Sequence, residues 1–319
     1  MGNISKDFLE KQRKERIGTI NRNKNGELMK VIDYIDSHHV VVEFQDDFKK
    51  QTTVYWKSFI DGGVRNPKVY DRLGLQKKNF QDSLMKIIKY NGRHDIVVEF
   101  QDKYKAHVHS GYGNFEKGTI KNPYIPTVCG VGMVGNKYTT TCNGKLTKEY
   151  RTWATMLKRC YDEDFKNASP TYSNVTCCEE WLLFENFYEW LHSQENFEKW
   201  SLEGRSAIDK DILDKGNKIY SPDTCCLVPQ KINGLFIKRD AKRGTLPIGV
   251  VFYKPLNKYK AECNNTHIKY CDSIEEAFQE YKEYKENLIK QTAQEEYDKG
   301  NISKKCYEAM INYQVEITD

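Results

Sequence analysis

The chain has 319 residues, of which 39% are hydrophobic, 30% charged and 13% aromatic; that aromatic share excludes wholesale disorder. With 8 prolines and 20 glycines it belongs to neither the collagen-like nor the low-complexity classes, and no apolar run approaches the ~20 residues of a membrane-spanning helix. The net charge of +5 hides an asymmetry: residues 272–319 carry 12 acidic and 6 basic side chains, a net of −6, whereas residues 1–271 carry 44 basic against 33 acidic, a net of +11. A positive excess suits a phosphate backbone, and a solvated lysine face would look the same.

Residues 1–17 read as a charged helix. Met1-Gly2 with Ser5 has the outline of a lipidation signal, but the charged residues that follow speak against it, and there is no apolar stretch of the secretory kind. Ten cysteines include the adjacent pairs Cys177-Cys178 and Cys225-Cys226 and no C-x-x-C spacing. They read as reduced thiols of a cytoplasmic protein, with nothing in the spacing to support zinc. At ~100–200 residues per domain the length suggests two or three domains.

Residues 18–67 and 74–123 are copies of one unit. VVVEFQD at Val40–Asp46 returns as IVVEFQD at Ile96–Asp102, and the same ungapped offset of 56 pairs many further positions. Among them are Gly18 with Gly74, Leu28-Met29-Lys30 with Leu84-Met85-Lys86, Tyr34 with Tyr90, His38 with His94, and Phe59 with Phe115. Gly62 pairs with Gly118, and Asn66-Pro67 with Asn122-Pro123. The alternation of Val40, Val42 and Phe44 with Val41, Glu43 and Gln45 predicts a half-buried strand. The Phe-x-x-Gly-x-Val/Ile-x-Asn-Pro ending predicts a tight turn and a short closing strand. Each unit reads as a small β-rich module, with His38 and His94 as loop side chains kept by duplication. Tandem modules of this size suit an extended partner such as DNA, and equally a host protein or a spacer role.

Between residues 138 and 238 the texture changes. Tyr150, Trp153, Met156, Leu157 and Tyr161 predict an amphipathic helix over 147–161. A turn at Pro170–Asn174 and a short strand at Val175–Glu179 follow. Trp181, Phe184, Phe187, Trp190 and Leu191 then predict a second helix. Further on come a strand ending near Asp209, a turn at Gly216-Asn217, a strand at Cys225–Val228, and a helix opening around Pro229.

That order, with Tyr150-x-x-Trp153-x-x-Met156-x-x-Arg159-Cys160, Cys178-x-x-Trp181-x-x-Phe184-x-x-Phe187 and Asp209-Lys210-x5-Gly216-Asn217-x-x-Tyr220-Ser221-Pro222-x-x-Cys225, resembles the phage-type HNH homing endonucleases. The resemblance implies a ββα-metal core that binds double-stranded DNA and nicks or cleaves it with one divalent ion, Mg²⁺ or Mn²⁺. It implies Asp209 and Asn233 as metal ligands, Asn217 as the residue that orients the base or shapes the turn, and Lys210 where the family has its general-base His. A protonated lysine cannot accept a proton, so Lys210 would grip a phosphate, leaving Asp211 to replace the base or join the metal shell. The bland reading of Asp209 and Asp211 is a pair of turn carboxylates capping backbone amides.

After the basic stretch holding Lys238, Arg239 and Arg243, strands are predicted from Leu246, over Lys258–Glu262 and over His267–Tyr270. Ser273 and Glu276 then predict a capped helix carrying Ala277, Phe278 and Tyr281 on one face. Residues 246–290 resemble the ethylene-response-factor type of DNA-binding domain, which implies DNA contacts from Lys254, Lys258, Tyr259, Lys260 and Lys269. The family's Trp is replaced by Tyr259 and its strand arginines are missing, so the resemblance implies phosphate contact more than base reading. The stretch 291–319 reads as an acidic, helical tail that packs or offers a partner surface. The whole is expected to be α+β, with no membrane partner. Beside the endonuclease stand two alternatives: a DNA-binding regulator on a degenerate nuclease core, and a phage counter-defence protein that grips a host protein through its β repeats.

Overall fold

A computed structural model describes residues 6–47, 49–67, 72–202, 206–237 and 245–319. It is α+β, and it divides into two compact units, residues 1–121 and 122–319. Among the described residues no helix is long and apolar enough to cross a membrane, and all ten cysteines are free thiols.

The first unit holds the two copies. Helix α1 (Lys6–Arg16) precedes a meander of β1 (Ile20–Arg22), β2 (Leu28–Asp36), β3 (His39–Phe44) and β4 (Gln51–Val54), followed by α2 (Trp56–Ile60). The second copy repeats it as β5 (Gln76–Lys78), β6 (Leu84–Gly92), β7 (Asp95–Phe100), β8 (His107–Ser110) and α3 (Tyr112–Lys117). Registers coincide to the residue: Met29 faces Phe44 as Met85 faces Phe100, and the ladder slips between Val31 and Asp33 as it does between Ile87 and Lys89. Phe44, Phe59, Phe100 and Phe115 are all buried.

The expected tight turn is the end of a short helix, and the closing strand expected after it does not form, since residues 63–67 and 119–122 carry no strand. Phe59 and Phe115 lie inside α2 and α3, where they point into the core, and Gly62 and Gly118 leave those turns at φ +66° and +70°. A Cβ on Gly62 would stand 2.9 Å from the Arg22 carbonyl oxygen, so close approach and positive φ both demand glycine there. The buried side chain of Asn23 donates to the Val64 carbonyl (3.1 Å), as Asn79 does to Ile120 (2.8 Å), tying each copy's last segment to its first turn.

In the second unit a small hairpin, β9 (Thr141–Cys142) and β10 (Lys145–Leu146), leads to α4 (Lys148–Tyr161), capped by the Thr147 hydroxyl and burying Trp153, Met156, Leu157 and Cys160 at helical spacing. After α5 (Glu163–Ala168), β11 (Thr176–Cys177) runs parallel to β13 (Ile219–Tyr220). The second helix expected around Trp181–Leu191 is two pieces: a 3₁₀ turn over Glu179–Leu182, then α6 (Phe184–His192). Leu183 is extended between them because Met133 pairs with this backbone, its amide donating to Leu182 (2.8 Å) and its carbonyl accepting from Phe184 (2.9 Å). Trp153, Trp181, Phe184 and Phe187 form the centre of this core, joined by Trp200 of α7 (Phe197–Leu202).

Strand β12 (Ser206–Asp209) pairs antiparallel with β14 (Cys226–Pro229), which runs straight into α8 (Gln230–Leu235). Pro229 ends the strand and precedes the helix. The last module is the three-stranded sheet of β15 (Val250–Tyr253), β16 (Lys258–Cys263) and β17 (Thr266–Cys271), with α9 (Ile274–Asp298) against it. The boundary expected at residue 290 falls inside α9. Its stripe of Ala277, Phe278 and Tyr281 packs on the sheet and continues as Ile289 and Ala293, which pack on Ile212, Val228 and Ile232 of the ββα unit. Helix α10 (Lys304–Ile311) adds Cys306 and Met310 to the same cluster.

Candidate functional site

The site is built on the loop between β12 and β14. Asp209 ends β12 opposite Cys226 and is only 6% exposed. Its Oδ1 accepts the amides of Asp211 and Ile212, both at 3.0 Å, so this oxygen does the work of a turn cap. Burial, then the charge of Asp211, pushes the Asp209 carboxyl up to about 6.

Lys210 is buried too. Its Nζ donates to the Asn217 carbonyl (3.1 Å) and lies 3.2 Å from Asp211 Oδ2. Asn217 returns the bond: its Nδ2 donates to the carbonyls of Lys210 and Ile219, both at 2.7 Å, and its Oδ1 accepts the Ile219 amide. Asp209, Lys210, Asp211 and Asn217 are therefore brought together in one closed turn. Asn217 shapes that turn. Lys210 Nζ thus has both a carbonyl and a carboxylate as partners within the turn.

Asn233 sits half-buried on α8, whose neighbour Ile232 shares a buried cluster with Ile212 and Cys226. Among the described residues no group of three or more His, Cys, Asp or Glu side chains is arranged to hold a metal ion. Asp209 Oδ2 takes neither of these turn amides, and a carboxylate oxygen is the ligand type that a hard divalent ion prefers.

The expected DNA contacts on the three-stranded sheet are more neutral than their sequence suggests. Lys258 pairs with Asp272 (3.0 Å), Lys260 with Glu262, and Lys269 with Glu276 (3.4 Å) and Glu280 (2.6 Å) of α9. Tyr259 packs toward the helix-side core and meets the Phe252 ring edge-on. Lys254 is exposed at the end of β15. Lys238, Arg239 and Arg243 lie outside the described residues. Tyr253, read from the sequence as lying on these strands, is joined by two rings that the sequence reading overlooked: Tyr270 at 5.2 Å and, beyond it, His267 at 4.3 Å from Tyr270. That reading also overlooked Lys215, in the same loop as Asp209, whose partners lie about a hundred residues downstream; the only signal was the opposite charge of the two regions. No protein-family model, curated protein or solved structure matches this chain.

Proposed function

We propose that the chain binds duplex DNA and nicks or cleaves it through its HNH-like ββα centre with one divalent metal ion, Mg²⁺ or Mn²⁺. The observation that carries this reading is Asp209: a carboxyl buried at the end of the first strand and pressed by the charge of Asp211, on the hairpin that leads into the Asn233 helix. Two carboxyl groups in such a place are relieved by a cation. Asp209 Oδ2 and the Asn233 amide oxygen would hold the ion. When bound, it would neutralise charge developing on the scissile phosphate. Asp211, whose side chain is 46% exposed, would take a proton from water or join the metal shell. Lys210 fixes the turn through its bonds with Asn217. The β repeats and the three-stranded sheet would select the site on the duplex.

One observation favours a second reading. The Lys210 ammonium already supplies a positive charge beside Asp211 and stands where the resembled family has its base, which suits a DNA-binding regulator on a degenerate nuclease core. Nicking of supercoiled plasmid with Mg²⁺ or Mn²⁺, lost in Asp209→Ala, supports the nuclease. Salt-dependent duplex binding without nicking supports the regulator. Absence of both leaves the β repeats as a docking module for a host protein.

A further inference from the structure

Lys215 lies in the loop that closes the candidate site, and the last described residues fold back onto it. Its Nζ donates to the Gln314 carbonyl (2.9 Å) and to Asp319 Oδ2 (2.9 Å), stands 3.7 Å from the Glu316 carboxylate, and sits 5.1 Å from the centre of the Tyr313 ring. These residues are 98 to 104 positions away in sequence, so the contact is tertiary. The segment is seated independently of Lys215. Val315 is buried in the core under the three-stranded sheet, and its amide donates to Glu286 Oε1 (2.9 Å). Tyr313 meets the Phe236 ring at 4.9 Å. Burial, then the charges of Asp319, Asp211, Glu316 and Asp209, push the Tyr313 phenol up, so the strap and the site turn share one electrostatic neighbourhood.

We propose that Lys215 is a phosphate contact for nucleic acid at the ββα unit, and that the carboxylates of Glu316 and Asp319 occupy it until a DNA strand displaces the strap. The proposal rests on the duplex-DNA reading above and names a residue and a competitor within it. An ammonium offers three donors and no acceptor, and in the free chain they meet two carboxylates and a carbonyl, the kind of oxygen array that a phosphate presents. The Lys215 side chain is 31% exposed and that of Glu316 is 63% exposed. The Glu316 arm is therefore a screened surface pair that gives way to a polyanion, whereas Asp319, whose side chain is 8% exposed and which also accepts the Glu316 amide, is the anchored arm. The charge distribution agrees: residues 272–319 are net negative and the rest of the chain is net positive.

The test is fluorescence anisotropy of a short labelled duplex with the full chain across a salt series. A strap closed about nine-tenths of the time predicts that Glu316→Gln/Asp319→Asn binds roughly tenfold more tightly. One extra phosphate contact also predicts a log–log salt slope steeper by about 0.9. The control pair Glu163→Gln/Asp164→Asn makes the same charge change on the exposed first turn of α5 and should give a clearly smaller gain. Adding Lys215→Gln to the strap variant should remove the gain, with thermal melts confirming that every variant is folded. A gain of equal size in the control pair, or one that survives Lys215→Gln, overturns the proposal. Wild-type binding with no gain in the strap variant overturns the strap alone. If neither protein binds any duplex, the DNA reading falls and the proposal falls with it.

Discussion

Both units bury neutral amides, but among the described residues only the second also buries ionisable side chains. Among the described residues the first unit buries the neutral amides Asn23 and Asn79, each serving its own copy of the repeat. The second buries the amides Asn122 and Asn196 and, beside them, the ionisable side chains of Glu185, Asp209, Lys210, Lys285, Glu296 and Asp319. A neutral amide with all its bonds made asks for nothing further, whereas a buried charge persists only with partners and stays responsive to ions and ligands. Some of these charges are structural. Glu185 accepts the amides of Asn136 (2.8 Å) and Lys137 (2.7 Å) and the Tyr124 hydroxyl. The turn at Asp209–Asn217 differs, because the buried Asp209 carboxyl is pressed by the charge of Asp211, which in turn pairs with Lys210. The comparison teaches that ionisable groups held out of water, which respond most to ions and ligands, lie in the second unit.

The largest expected effect tests the framework. Phe44→Ala and Phe100→Ala should each cost about 3–5 kcal/mol, with loss of amide-exchange protection confined to the strands of the affected copy; unequal costs would break the equivalence of the copies.

Next is the site. Asp209→Ala should lower metal-dependent nicking by about 10²–10³-fold, with Asn233→Ala close behind. Lys210→Ala sharpens the reading: if the lysine only fixes the turn or grips phosphate, saturating DNA restores the rate, whereas collapse at saturation would make it the base.

Asn79→Ala removes the side-chain bonds to a buried carbonyl and to two turn amides and should cost about 1–3 kcal/mol in chemical denaturation. A neutral result would remove the amide from the framework.

A structural charge in the second unit has a pH signature. Glu296, 2% exposed, is bonded by Lys231 (2.6 Å), Asn301 (2.8 Å) and Lys299 (3.0 Å). Burial pushes its carboxyl up, but these three partners outweigh burial and hold it below the ordinary 4.5. A folded value below the unfolded one gives stability that is present above about pH 4.5 and lost as pH falls through the folded value. Glu296→Gln should therefore be less stable than the wild type at neutral pH, and the two should converge in acid. A gap that widens in acid would reverse the assignment.

The smallest effect concerns the three-stranded sheet. Lys258→Ala with Lys260→Ala should weaken duplex binding alike for all sequences and flatten the salt slope by up to about 0.9 per contact. Because both lysines are ion-paired in the free chain, an unchanged slope would take this sheet out of the interface.

By itself the sequence determined whatever depends on neighbours along the chain. The 56-residue offset sets two identical meanders because register follows from pattern and turn residues. Helical spacing places α4, the β12–loop–β14–α8 order is readable from strand and turn chemistry, and Ser273 marks the start of α9. Tertiary structure decided the rest. Phe59 and Phe115 entered helical turns because Gly62 and Gly118 close against the first strands of each copy. Leu183 was pulled out of a helix by the backbone of Met133. Asp209 could be listed as a candidate from its resemblance, but the commitment of its Oδ1 to two amides is a matter of three-dimensional placement. Lys215 is the clearest instance. Its partners lie about a hundred residues away, and periodicity carries no information at that range; only the packing of α9 and α10 on the ββα unit delivers the acidic strap to it.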